Sequence, residues 1–144
     1  MPAYISNGLI VHELIHGAAG LISAFILWKK TKSVKRALLV VFLTIAFDID
    51  HLVDYFLYYG FQISVPKMLM LDYFQITRRA VVPFHAWEWL MVLGVLSYKR
   101  GWKSNFTLLF MAILPHLIVD SINVSSFLFY SIIYRLARGF AFLN

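Results

Sequence analysis

The sequence predicts an all-α fold: a polytopic transmembrane helical bundle of about five helices, with an interfacial segment between helices two and three. Three observations predict it. Hydrophobic residues make up 61% of the 144 residues, charged residues only 14%, and the mean hydropathy is +0.76. Soluble domains are nearer half apolar and a quarter charged, so lipid is the expected solvent. Open backbone is too costly in lipid, which makes helices the default. The length suits a single domain, residues 1–144.

The apolar segments run over about 5–28, 37–59, 82–98, 106–124 and 126–140. The first two have the roughly 20 residues a spanning helix needs, while the third and fifth are short. His12 and Glu13 interrupt the first run, and no basic stretch precedes it, so it does not read as a cleavable leader. Between segments two and three lies a linker, 60–81. Its apolar stretch, 65–74, is too short to span and is expected in the interface. Trp28, Tyr58, Tyr59, Trp87, Trp89 and Trp102 fall near segment ends, as an aromatic belt does. Gly17, Gly20 and Gly94 provide for close helix packing, and Pro115 for a kink in the fourth helix.

The net charge of +6 comes from short basic clusters beside apolar runs. That is a membrane-flanking pattern, and no nucleic-acid partner is expected. Lys29, Lys30, Lys32, Lys35 and Arg36 fill the first loop, and Lys99, Arg100 and Lys103 the third. Arg135 and Arg138 lie near the C-terminus, and only Lys67, Arg78 and Arg79 lie in the linker. With five spans, this asymmetry puts the N-terminus outside and the C-terminus inside, in a cytoplasmic membrane. The chain has no cysteine, which excludes disulfides and thiolate metal sites.

The histidines and nearly all the carboxylates fall in four short stretches: His12-Glu13-x-x-His16, Asp48-x-Asp50-His51-x-x-Asp54, His85-x-x-Glu88 and His116-x-x-x-Asp120. Offsets of three and four put each pair on one helix face. Imidazole with carboxylate suits zinc, manganese or iron, and helical bundles build multinuclear sites from such pairs. Antiparallel neighbours would bring all four stretches to one depth, towards the outer leaflet. A metal site is the economical explanation, because unpaired carboxylates in a dry interior are very costly. The expected metal ligands are therefore His12, His16, Asp48, Asp50, His51, Asp54, His85, His116 and Asp120. Glu13 and Glu88 are candidates for proton transfer, and Arg79 for contacting phosphate oxygens.

His12-Glu13-Leu14-Ile15-His16 also matches the H-E-x-x-H pattern of zinc proteases, in which the glutamate acts as general base. That reading leaves Asp48, Asp50, His51, His85 and Glu88 without a role. A non-enzymatic metal transporter or metal-binding protein is a third reading, and transport requires ligands along a path across the membrane.

The ordered set His16 with Gly20, Asp48-Ile49-Asp50-His51, His85, and His116 with Asp120 resembles the membrane-bound metal-dependent hydrolase family typified by the SOS-induced inner-membrane protein of enteric bacteria. The resemblance covers about residues 12–122. Phe47 stands where that family has a proline, Ala86 where it has a serine, and the first histidine of its third motif is missing. The family is distantly similar to zinc-dependent phospholipase C and single-strand nucleases. The resemblance implies a helical fold holding two or three divalent ions, zinc or manganese, and hydrolysis of a phosphoester. It implies Asp48 or Asp50 as the bridge, His16, His51, His85 and His116 as terminal ligands, and Asp120 and Asp54 either completing the shell or orienting the histidines from behind. A site at outer-leaflet depth favours a lipid-linked phosphoester as substrate and the bilayer itself as partner.

Overall fold

The computed structural model describes residues 2–141, with side chains from Ile10 onward; the start of the first apolar run therefore lies outside the described side chains. The described chain is helical. Its only β-feature is an isolated bridge between Arg79 and Ala141. Helix α1 spans Pro2–Thr31 and α2 Val34–Ala46, followed by a 3-10 turn, Phe47–Asp50. Then come α3 (His51–Tyr59), the short linker helices α4 (Val65–Met70) and α5 (Asp72–Thr77), α6 (Trp87–Arg100) and α7 (Asn105–Asn123). A 3-10 turn, Leu128–Tyr130, and α8 (Ile132–Ala137) close the described chain.

Helix α7 is the axis of the bundle. It packs against α1, α2 and α6, and α1 packs against α2. Ser33 and Ser104 start the return helices: each hydroxyl accepts an N–H of the first turn, from Arg36 and Thr107. Two apolar clusters fill the centre. Ala24, Leu27, Val40, Leu108 and Ala112 join α1, α2 and α7. Leu90, Ile113 and Leu117 meet Ala80, Val82, Phe129 and Tyr130 nearer the other end. The buried Thr44 hydroxyl donates to its own Val40 carbonyl (2.8 Å) and lies 3.1 Å from the Ala112 carbonyl, tying α2 to α7.

The helical hairpins α1–α2 and α6–α7 turn at the same end. The Arg36 guanidinium reaches the Ser104 carbonyl and Asn105 Oδ1 of the second turn, and Lys30 lies over the Trp102 ring. The basic first and third loops therefore share one face. Two helices, Ile10–Thr31 and Asn105–Asn123, are long and apolar enough to cross a membrane. Leu21, Ile22, Phe25, Leu38, Phe42, Met91 and Val95 are all more than half exposed on the outer faces. Apolar surface of that extent is unusual on a soluble monomer.

Three segments differ from the sequence expectation. The second apolar run is not one helix. It tightens into a 3-10 turn at Phe47–Asp50, where Asp50 accepts a hydrogen bond from the Phe84 N–H of a distant loop. The third helix begins only at Trp87, so His85 sits in a non-helical stretch ahead of it. The fifth run forms a 3-10 turn and the six-residue α8 rather than a long helix. Arg135 is buried against the His85 stretch, and Ala141 bridges to Arg79. The chain after α7 therefore lies at the end opposite the basic turns, on the same side as the N-terminal half of α1, and Arg135 and Arg138 do not join the cationic face.

Gly20 marks the closest approach of α1 and α2. A Cβ there would lie 3.0 Å from Thr44 Oγ1 and 3.1 Å from Thr44 Cβ. Gly20→Val is expected to destabilise the bundle by about 1–3 kcal/mol, read as a lowered unfolding midpoint in detergent. Gly17→Ala, whose new Cβ meets only Ile45 at 3.6 Å, is the milder control. An unchanged midpoint for Gly20→Val would contradict this packing.

Candidate metal centre

Four elements bring the polar stretches together. From α1 come His12 and His16, one helical turn apart. The 3-10 turn supplies Asp48, and His51 follows it. Three residues per turn eclipse positions 48 and 51, so both face the cluster, and His51 Nε2 lies 3.4 Å from Asp48 Oδ1. The loop before α6 supplies His85, and α7 supplies His116 and Asp120.

Every imidazole turns its Nε2 towards the two carboxylates of Asp48 and Asp120. His12 and His16 approach Asp120 Oδ1 at 3.4 and 3.1 Å and each other at 2.9 Å. His85 and His116 approach Asp120 Oδ2 at 3.3 and 3.2 Å, Asp48 Oδ1 at 3.1 and 3.3 Å, and each other at 2.8 Å. The two oxygens of Asp120 thus serve different histidine pairs. Around an ion with bonds of about 2.0–2.2 Å, neighbouring donors in tetrahedral or octahedral shells lie about 2.8–3.6 Å apart, which is the spacing seen here.

The tautomers point the same way. His116 Nδ1 lies 2.7 Å from the Thr44 carbonyl, so that nitrogen carries the proton and Nε2 carries a lone pair. Asp50 Oδ1 stands 2.9 Å from His85 Nδ1, off the axis of a well-aligned hydrogen bond, and favours the proton there too. With both rings neutral, two Nε2 lone pairs then meet at 2.8 Å; a proton on one ring, or a cation held by both nitrogens, turns that contact favourable. Among the described residues, the sets Asp48-His85-His116-Asp120, His12-His16-Asp48 and Asp50-His51-His85 each place ligand atoms close enough to hold an ion. The donor set therefore fits a metal.

Burial grades across the cluster. His16, His85 and His116 are fully buried and Asp120 nearly so. The side chains of His12, Asp48 and His51 are 29, 18 and 20% exposed and line a cavity of about 390 Å3 with Glu13. One Glu13 oxygen is buried without a hydrogen-bond partner. Tyr73 closes the wall, its hydroxyl 3.4 Å from the His51 carbonyl. Burial, with the Asp54 and Asp48 charges, pushes that phenol well above its ordinary pKa and keeps it neutral.

Several expected residues have other work. Asp54 points away from the cluster: its oxygens accept from Val81 and Val82 N–H at 2.6 and 2.8 Å. Asp50 accepts from Phe84 N–H at 2.9 Å and stands behind His85 rather than between the histidine pairs. Glu88 caps α8, accepting from the Ser131 hydroxyl and the Ile132 and Ile133 N–H groups; with His85 outside the helix, the two do not share a helix face. Arg79 is exposed and lines a separate cavity with Thr77, Gly139 and Phe140.

Arg135, a flanking cation by its place in the sequence, is a buried structural residue in the fold. It is 1% exposed, and its guanidinium donates to the Val81, Val82 and His85 carbonyls at 2.8, 3.0 and 2.8 Å. The stretch 81–86 is thus clamped on its N–H groups by Asp54 and Asp50 and on its carbonyls by Arg135. The clamp holds Val82, a β-branched residue, at φ +28°, strain of the kind that over-determined functional loops carry. Only the arginine's place inside an apolar-flanked segment, Ile132 to Ala137, could have signalled it.

Against known proteins the chain stands apart: no family model, no curated protein and no solved structure matches it.

Arg135→Met and Asp54→Asn, neither contacting an imidazole nitrogen of the cluster, are each expected to weaken metal affinity roughly 10–100-fold, the usual effect of losing an orienting partner. Arg79→Ala should leave affinity unchanged. Equilibrium dialysis with zinc or manganese decides, and full affinity in Arg135→Met would show that the clamp does not set His85.

Proposed function

We propose that this protein is an integral-membrane, metal-dependent hydrolase that acts on a phosphoester carried by a lipid or lipid-linked molecule. The observation that carries this reading is the convergence of all the histidine Nε2 atoms on Asp48 and Asp120. On this reading His12, His16 and Asp120 would hold one ion and His85, His116, Asp48 and Asp120 a second, with Asp50 outside both sets. Such a pair supplies charge that polarises the phosphoryl group and lowers the pKa of water. The chain's residues do the rest. The Thr44 carbonyl fixes the tautomer of His116, and the Asp50 carboxylate, 2.9 Å from His85 Nδ1, orients His85 by its charge. His51 flanks Asp48 on the open side, and Glu13, with its unpartnered oxygen in the same cavity, is placed to take up and return a proton.

The membrane reading rests on the two long apolar helices and the exposed apolar faces of their neighbours. His16 and Thr31 are about 22 Å apart along α1 at 1.5 Å per residue, so the cluster and the basic turns occupy opposite ends. The positive-inside rule then keeps the basic turns in the cytoplasm and puts the cluster, with the chain after α7, towards the outer leaflet. The broken second run and the short last segment reduce the spanning elements from the five expected.

The zinc-protease reading keeps one point of support: His12, His16 and Asp120 form a three-ligand set with Glu13 in the adjoining cavity. It uses only half the donors. A transport path is disfavoured because the donors gather at one end of α1 and α7.

Detergent-purified protein is expected to hold about two zinc or manganese ions per chain. Asp120→Ala should lose both, whereas Glu88→Gln should keep them. Glu13→Gln should retain metal but lower phosphoester turnover by about 10²–10⁴-fold, measured by phosphate release from lipid phosphoesters before and after chelation. Undiminished turnover in chelated protein would overturn the hydrolase reading, and casein cleavage in its place would favour the protease.

A further inference from the structure

The cavity beside the cluster is polar on one side only. His12, Glu13, Asp48 and His51 form one wall. Away from that wall it is lined by Ile45, Ile49 and Leu52 of the α2–α3 run and by Val65, Met68 and Leu69 of α4. A small soluble phosphoester would fill the polar end and leave the apolar remainder wet, which is unfavourable. At about 390 Å3 the cavity lies near the small end of the roughly 300–1,000 Å3 range of ligand sites, enough for one chain and not two.

Helix α4 roofs this space. It packs on α1, while Phe61, Ile63, Val65 and Leu69 around it are 93, 78, 59 and 54% exposed. Such a segment lies in the headgroup–acyl boundary of a bilayer with its apolar side buried. Ile49, 69% exposed, and Ile45, 41% exposed, continue the apolar surface on the opposite lip. The mouth between these lips is therefore bordered by side chains that belong in the acyl layer.

We infer that this cavity is a tail slot: it seats the first methylenes of a single-chain amphiphile whose anionic, phosphate-type head reaches the histidine–aspartate cluster, and the chain enters laterally beneath α4. This inference rests on the metal-hydrolase reading and adds the shape of the substrate and its route. Met68 is the gate side chain: half-buried, on the cavity wall and outside the packed bundle, it can be enlarged without disturbing the core.

The test uses metal-loaded full-length protein in lipid nanodiscs and dodecyl phosphate carrying a photoreactive diazirine on a chain carbon near the phosphate. Metal content is measured on the same samples. Labelling is expected to concentrate in peptides covering 45–52 and 65–71. It should fall roughly tenfold in Met68→Trp, the loss that shutting about two methylene groups out of the slot would cause. Metal content should stay the same, and Met91→Trp on the outer face of α6 should label as the unmodified protein does. Label spread evenly over the lipid-facing helices, or unaltered by Met68→Trp, with metal fully bound would overturn the tail slot and leave the hydrolase reading standing. Protein that binds no metal would overturn both.

Discussion

A non-helical stretch, partly buried at one end of an apolar bundle, is the constraint around which this molecule is organised. Residues 81–86 carry the fully buried His85, and an unpaired backbone group beside it would be expensive. Side chains from three elements supply the partners: Asp54 from α3, Asp50 from the 3-10 turn and Arg135 from α8. The break after Ala46, the inward fold of the chain beyond α7 and the buried guanidinium all follow from that one need. Arg135 also gives Asp50 and Asp54 an opposite charge nearby, which offsets part of their desolvation.

The second organising term is the density of donors. Asp48 and Asp120 are ringed by imidazoles at 3.1–3.4 Å, and two of those rings meet nitrogen to nitrogen at 2.8 Å. No arrangement of neutral rings satisfies all of these contacts, since each neutral imidazole has a single proton to give. Protonated rings or bound cations would make up the shortage, and the proposed chemistry depends on the cations.

The helical class, the positions of α1, α7 and the two basic turns, and the identity of the clustered residues could be read from the sequence, because apolar periodicity and the three- and four-residue offsets are local signals. His12/His16 and His116/Asp120 pair as their spacing says, being inside regular helices. Asp54, Glu88 and Asp50 were legible as buried carboxylates but not as caps and clamps. A carboxylate that accepts from distant backbone looks the same in sequence as one that binds a metal. Arg135 was hidden for the converse reason: at a segment end a cation reads as a flank, and only the fold shows which carbonyls need it. The departure of His85 from helical geometry left a trace in Pro83, two residues before it, which disfavours helix at the preceding position.

The donors are divided between the two hairpins. His12, His16, Asp48 and His51 belong to the α1–α2 half, and His85, His116 and Asp120 to the α6–α7 half. Asp120 touches His12 and His16 across that seam, so neither half holds a finished coordination shell. On the proposed reading, an ion captured here would rivet the two hairpins together, each supplying what the other's coordination shell lacks.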